Sequence, residues 1–199
     1  MESLLAFGAA LGLIAFLELG DKTQLATISL ATRRPPMAVL GGAATGLTAA
    51  TSIGAAIGGL MTAALTGWLS VIRIAGGFLF VALGLWTTFR ALRGRRDEPE
   101  TKPSHPGNRN AFVEAAGLLF LAEIGDKTQI AVIILAATYA APISIFAGAS
   151  LAETLIAVTS VMIGKGLARA LASKSLELVG AGLFLIAGVW LVVDTLLAA

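Results

Sequence analysis

The chain consists of long apolar stretches separated by short polar segments. A transmembrane helix needs about 20 largely apolar residues, and six stretches reach that length. They cover approximately residues 4–31, 37–64, 69–91, 111–138, 143–167 and 176–197. The pattern therefore predicts an all-α membrane protein with six transmembrane helices.

The polar segments between these stretches are suited to loops. Arg33, Arg34, Pro35 and Pro36 end the first stretch, because consecutive prolines cannot continue a helix and arginines avoid lipid. Residues 93–110 are rich in proline and mixed in charge, with too few apolar residues to fold, which predicts a linker.

Composition excludes an ordinary soluble enzyme. The chain is 57% hydrophobic and 13% charged, whereas soluble domains are about 45–50% apolar and about 25% charged. The chain has no cysteine, which excludes disulfides and thiolate metal sites. The pI of about 9.3 does not indicate a nucleic-acid partner, because no basic face with interleaved aromatic residues is present. The expected environment is a lipid bilayer.

The distribution of positive charge predicts an orientation. Of the 14 lysines and arginines, 11 lie in the loops after the first, third and fifth stretches, and Arg73 alone lies on the opposite side. Loops rich in lysine and arginine stay in the cytoplasm. We therefore expect these three loops inside the cytoplasm and both termini outside it.

The chain contains an internal repeat. Residues 18–32 read ELGDKTQLATISLAT and residues 123–137 read EIGDKTQIAVIILAA, with ten of fifteen positions identical. The repeat predicts two three-helix units, residues 1–92 and 111–199, joined by a cytoplasmic linker at 93–110. Because each unit has an odd number of spans, the second is inverted in the membrane. Inverted repeats are typical of secondary transporters, which bind their substrate near the midplane between the repeats.

Each repeat places three charged residues inside an apolar stretch. A charge at the bilayer centre costs about 2.5–3.5 kcal/mol on insertion scales, so such residues are functional by default. The alternative is a structural role, in which each aspartate pairs with a lysine and locks the bundle. The residues are Glu18, Asp21 and Lys22 in the first repeat, and Glu123, Asp126 and Lys127 in the second.

Their spacing predicts a carboxylate cluster. On a continuous helix, Glu18 and Asp21 lie one turn apart on a face that Gln24 extends. The second repeat has the same arrangement, so two facing helices would bring four carboxylates and two amides together. The lysines lie about 100° around the helix from the aspartates and need not join the cluster. The second repeat's face consists of Glu123, Asp126 and Gln129.

The small residues of the motif leave several roles open. Gly20 and Gly125 favour either close helix approach or a local break. Thr23 and Thr128 would cap a half-helix, supply hydroxyl oxygens, or bond to their own turn if the helix is continuous. Glu153, in the fifth stretch, has no counterpart in the second, and is an asymmetric ligand, a proton-relay group or a pore-lining residue.

The chemistry of this cluster suggests a divalent cation. Oxygen ligands suit Ca²⁺, Mn²⁺ or Mg²⁺ better than copper or zinc. Four carboxylates and two ammonium groups sum to a charge that one divalent cation would neutralise. Without metal, carboxylates crowded in a low dielectric bind protons instead. Such mutually exclusive binding is the thermodynamic basis of antiport.

The twin E-x-G-D-K-T motifs resemble those of the calcium:proton antiporter-2 family, whose eukaryotic members include Golgi manganese/calcium exchangers. The resemblance implies exchange of a divalent cation for protons, with Glu18, Asp21, Glu123 and Asp126 as the cation site and the two glutamines in support. It favours Mn²⁺ first and Ca²⁺ second, with no prosthetic group. The absence of an extra N-terminal targeting helix leads us to expect a prokaryotic inner membrane.

Other functions remain open at this point. A channel or uniporter would use the same carboxylates as a cation filter. An intramembrane aspartyl protease would leave the glutamates and lysines of both motifs unexplained. A lipid pyrophosphatase would need arginine or serine beside its acids, whereas the arginines here, apart from Arg73, lie at the predicted cytoplasmic edge. Assembly as a homo-oligomer is compatible with each of these functions.

Overall fold

The computed structural model of the protein describes residues 2–93, 110–171 and 174–197, with side chains described except at 66, 163–171 and 174–177. Within these ranges the fold is all-helical, with eight α-helices, one turn of 3₁₀-helix at Thr66–Trp68 and no strands. The predicted linker lies almost wholly outside the described residues. The helices are α1 (Glu2–Glu18), α2 (Lys22–Ala31), α3 (Pro36–Ala64), α4 (Leu69–Leu92), α5 (Ala111–Glu123), α6 (Lys127–Tyr139), α7 (Pro142–Leu171) and α8 (Lys174–Leu197).

Four of the described helical segments are long and apolar enough to cross a membrane. They are α3, α4, Pro142–Met162 of α7 and Leu178–Leu197 of α8. Helices α1 and α2 form a fifth candidate span if they are counted together, although they are bent by 68° at the break between them. The protein is therefore a helical integral membrane protein with four to five candidate spans in the described part of the chain.

Helices from the two halves of the chain pack against each other. Helix α1 lies beside α7, and α5 lies beside α3. Glycines allow these pairs to approach backbone to backbone. A methyl group added at Gly46 of α3 would lie 2.3 Å from the carbonyl oxygen of Ala116 in α5, and one added at Gly148 of α7 would lie 2.3 Å from that of Phe7 in α1.

The last helices of the two halves, α4 and α8, pack against each other. Gly77 of α4 and Gly188 of α8 face each other, so closely that a methyl group on either would clash with the other's carbonyl oxygen. The buried rings of Phe80 and Phe184 meet at the same interface, with centroids 5.6 Å apart.

Candidate cation site

Both charged motifs fold into the same local break in a helix. Helix α1 ends at Glu18 and α2 begins at Lys22, and α5 and α6 are separated in the same way after Glu123. Gly20 and Gly125 at these breaks have φ angles of 76° and 77°. This is the left-handed region, which glycine adopts without steric cost. Asp21 and Asp126 then precede the second helices with extended backbones.

The glutamine of each motif stabilises the break. Gln24 Oε1 accepts a hydrogen bond from the backbone N–H of Gly20 at 2.6 Å, and Gln129 Oε1 accepts one from Gly125 at 2.7 Å. These amides would otherwise be left unpaired by the interruption of the helix, which is costly away from water. The glutamine side-chain oxygens are therefore occupied by the backbone in this structure.

The prediction of a continuous helical face through each motif is wrong. The α-helix ends between Glu18 and Asp21, because a left-handed glycine cannot continue it. The two acids are consequently not stacked one turn apart. Of the two roles considered for Gly20 and Gly125, the structure has the local break. Neither Thr23 nor Thr128 caps a half-helix, since the aspartates occupy the N-cap positions.

The glutamates form the most buried part of the candidate site. Glu18, Glu123 and Glu153 are each only 1% exposed. Thr23 donates a hydrogen bond to Glu18 Oε2 at 2.5 Å, and Thr128 donates one to Glu18 Oε1 at 2.9 Å. Both motif threonines thus serve the same glutamate.

The other two glutamates have fewer donors. Within the part of the chain that the structure describes, neither carboxylate oxygen of Glu123 has a hydrogen-bond partner. Glu153 Oε1 accepts a hydrogen bond from Thr51 of α3, and its second oxygen is buried without a described partner. Sequence reasoning did not single out Thr51 as this partner. The two residues are 102 positions apart, and no local pattern connects them.

The aspartates are held in two crossed ion pairs. Lys22 Nζ lies 3.2 Å from Asp126 Oδ1, and Lys127 Nζ lies 2.9 Å from Asp21 Oδ1. Each lysine therefore pairs with the aspartate of the other motif. The lysines thus accompany the aspartates, and the pairing of each aspartate with a lysine is the contact that the structural alternative expected.

These ion pairs border a polar cavity of about 210 Å³. The aspartate and lysine side chains are 17–33% exposed, in contrast to the glutamates. The cavity lining contains both ion pairs but none of the three glutamates: it consists of Asp21, Lys22, Leu83, Trp86, Thr87, Arg90, Gly125, Asp126, Lys127 and Ile130.

The carboxylates are divided between these two environments. Glu18, Glu123 and Glu153 are buried in the interior, and Asp21 and Asp126 line the cavity. Among the described residues, no three acidic or histidine side chains converge on one point as a bound metal ion would require. The predicted cluster of four carboxylates is not assembled as one set of ligands in this structure.

Buried acids inside a bundle of apolar membrane helices are typical of membrane proteins that provide a path for ions or protons. The sequence profile of the family described as divalent cation/proton antiporter GDT1 matches residues 6–95 and 111–199. The chain belongs to this family of membrane transporters of divalent cations. Family membership favours transport over the protease and pyrophosphatase alternatives.

Two relatives are similar over much of their length. A GDT1-like protein of Synechocystis sp. is 35% identical over 148 residues, which cover 68% of this chain and 71% of the relative. A Vibrio cholerae protein named as a candidate manganese exporter is 34% identical over 137 residues, which cover 66% of this chain and 62% of the relative. This second alignment thus spans less than two thirds of that relative. No solved structure matches the chain.

Proposed function

We propose that the protein exchanges a divalent cation for protons across the membrane, with Mn²⁺ preferred over Ca²⁺. The observation that carries this proposal is the environment of Glu123. Its side chain is 1% exposed, and no described residue donates a hydrogen bond to either carboxylate oxygen. A buried carboxylate without a partner is costly unless a cation or a proton neutralises it. Competition between these two is what antiport requires.

We propose Glu18, Asp21, Glu123 and Asp126 as the residues that bind the cation. Carboxylate oxygens are preferred ligands of Mn²⁺ and Ca²⁺. The hydroxyl of Thr23 orients Glu18, as does that of Thr128. Because the glutamates and aspartates occupy two environments here, cation binding requires the two groups to approach each other. The glutamines support the site by keeping both helix breaks in place.

Glu153 makes the interior asymmetric, and we propose that it assists the exchange. Gly42 of α3 contacts α5 as Gly148 of α7 contacts α1. Gly42 and Gly148 are therefore equivalent positions in the two halves. Five residues after them, α3 has the buried apolar Leu47 and α7 has Glu153. The substitution Glu153→Gln separates its two candidate roles. A proton relay would lose exchange but keep cation binding, whereas a ligand would lose both.

The proposed architecture is two inverted repeats, residues 1–92 and 111–199, with six spans in total. In this arrangement α1 with α2, and α5 with α6, each form one broken span. Two observations support this architecture. The helix breaks at Gly20 and Gly125 have the same backbone conformation, and the first helix of each half packs against the long helix of the other half, α1 against α7 and α5 against α3. The distribution of lysine and arginine favours a cytoplasmic 93–110 linker and both termini outside. A prokaryotic inner membrane is part of the proposal because both relatives are bacterial.

The test uses purified protein in liposomes that contain a pH-sensitive dye. Mn²⁺ or Ca²⁺ is added outside, and wild type is compared with Glu123→Gln and with the matched control Glu114→Gln. Glu114 pairs with Arg34 at 2.8 Å, away from the motifs. We expect cation uptake coupled to proton release in wild type and in the control, and neither in Glu123→Gln.

Two results would contradict the proposal. Cation uptake without obligatory proton movement, with the membrane voltage held by valinomycin, would indicate a channel or uniporter. Exchange that persists in folded Glu123→Gln would show that this carboxylate does not take part.

A further inference from the structure

The crossed ion pairs join the two halves of the chain at the candidate site. Each ammonium group contacts one oxygen of an aspartate from the other motif, at 3.2 Å and 2.9 Å. The second oxygens, Asp21 Oδ2 and Asp126 Oδ2, are buried and have no hydrogen-bond partner among the described residues. Each aspartate is therefore only half satisfied by its lysine.

A lysine ammonium group and a divalent cation compete for the same carboxylate oxygens. Removing the partner of a partly buried charge leaves that charge uncompensated, which is strongly unfavourable. The lysines prevent this cost at the aspartates when no cation is bound. A cation that binds the aspartates must displace the lysines, and the lysines return to the aspartates when the cation leaves.

We propose that Lys22 and Lys127 are tethered competitors of the transported cation at Asp21 and Asp126. This inference rests on the proposed function. The lysines lower the affinity of the site, so that the bound cation can dissociate on the far side of the membrane. Because each pair contains one residue from each half, displacement of the lysines also loosens the contact between the halves.

Affinity distinguishes this role from a purely structural one. If the lysines only lock the bundle, their removal disturbs the aspartates and weakens cation binding or leaves it unchanged. If they compete with the cation, their removal tightens binding. It also destabilises the cation-free protein, and added cation reverses that loss of stability.

The experiment measures Mn²⁺ binding to the purified full-length protein by calorimetry and by thermal unfolding. The variant is Lys22→Met/Lys127→Met, in which methionine keeps much of the side-chain volume without the charge. We expect its Kd for Mn²⁺ to fall by about tenfold, which corresponds to about 1.4 kcal/mol of binding free energy. Turnover in liposomes should fall as well, because release becomes slow.

The matched control is Arg34→Met. It removes one positive charge, as each single lysine variant does, from another ion pair between the halves, Arg34–Glu114 at 2.8 Å. Arg34 lies beyond the C-terminal end of α2, whereas Lys22 is the first residue of this ten-residue helix. We expect its Kd for Mn²⁺ to stay within about twofold of wild type, since screening weakens the effect of a distant charge.

The single variants Lys22→Met and Lys127→Met keep the test valid if the double variant does not fold. An unchanged or raised Kd in folded single variants overturns the inference, as does equal tightening in Arg34→Met. If wild type binds neither Mn²⁺ nor Ca²⁺, the proposed function fails as well. If wild type binds the cation and the lysine variants do not bind it more tightly, the inference fails while the proposed function stands.

Discussion

The two motif glutamates have closely similar sequence contexts but differ in their hydrogen bonds. Glu18 accepts hydrogen bonds from Thr23 and Thr128, one from each motif. Glu123 has no donor within hydrogen-bond distance among the described residues, although the Thr128 hydroxyl that serves Glu18 lies near its carboxylate as well. A hydroxyl group has a single proton to donate, so two threonines that serve Glu18 cannot serve its counterpart at the same time. The repeat is therefore symmetric in its backbone and asymmetric in its donors.

This asymmetry predicts a strong effect of removing the two hydroxyls. In Thr23→Val/Thr128→Val, Glu18 loses both donors while the side-chain volumes are almost unchanged. Loss of groups that orient a metal ligand costs about 10–100-fold in affinity or activity, and we expect Mn²⁺ transport to fall by that factor. Initial rates in liposomes measure it.

The control for this variant is Thr195→Val. Thr195 is buried as well, but its hydroxyl donates to the carbonyl oxygen of Leu191 in its own helix. Transport by this control should remain close to wild type. A double variant at Thr23 and Thr128 that transports as well as Thr195→Val would contradict the assigned role.

At this scale the sequence identified the acids but not their partners. The repeat and the cost of intramembrane charge were sufficient to select the residues of both motifs. Helical periodicity describes the face of one helix, and so it could not predict contacts between helices. The pairs Lys22–Asp126 and Thr51–Glu153 join residues about one hundred positions apart, and only the packing of the bundle brings them together.

At the scale of the element, each motif depends on a glycine that ends one helix and allows the next to begin. Gly125 has a φ of +77° and no atom within 4 Å of the position of an added Cβ. Its requirement is therefore conformational and not steric. A non-glycine residue in such a conformation costs about 1–3 kcal/mol.

We expect Gly125→Ala to lower the free energy of unfolding by about 1–2 kcal/mol. Thermal unfolding in detergent measures the change. The control Gly117→Ala lies within α5, also with open space around the added Cβ. There alanine favours the helix by about 0.5–1 kcal/mol, so the two changes should have opposite signs. Destabilisation of equal size in both would contradict this account of the break.

Close packing between halves predicts a different effect at Gly46. An added methyl group would lie 2.3 Å from the carbonyl oxygen of Ala116, so α3 and α5 would have to separate. Overpacking of this kind costs about 1–3 kcal/mol. Gly8→Ala, which adds a methyl group into open space, is the control. Equal melting temperatures for the two variants would contradict the observed contact.

Helix ends were predicted well where proline or polar residues mark them. The predicted stretches 37–64 and 69–91 correspond to Pro36–Ala64 and Leu69–Leu92. For the first and fourth stretches, the sequence could not decide whether the motif glycine breaks the helix or allows another helix to pack closely. Glycine is suited to both roles, and the hydropathy of the stretch is the same in either case. The prediction that Glu18 and Asp21 share a helical face assumed one continuous helix, whereas α1 ends before Asp21.

At the scale of the whole molecule, the proposed inverted topology can be tested directly. The chain has no cysteine, so a single introduced cysteine gives an unambiguous label. Thr32→Cys and Gly67→Cys both lie at exposed positions in the turns that flank α3. We expect a membrane-impermeant thiol reagent, applied to intact cells, to label Gly67→Cys but not Thr32→Cys.

Permeabilised cells provide the control, since both variants should then react. Labelling of Thr32→Cys alone in intact cells would show that the orientation is the opposite of the proposed one. Labelling of both would show that α3 does not cross the membrane.

The packing of α1 against α7 also has a consequence for how the protein is made. The face of α1 that is fully buried includes Ala6, Ala10 and Ile14, and its main partner begins only at Pro142. Ribosomes add about 5–20 residues per second. The first helix must therefore remain in the bilayer, in contact with lipid or the insertion machinery, for on the order of ten seconds before its partner is synthesised.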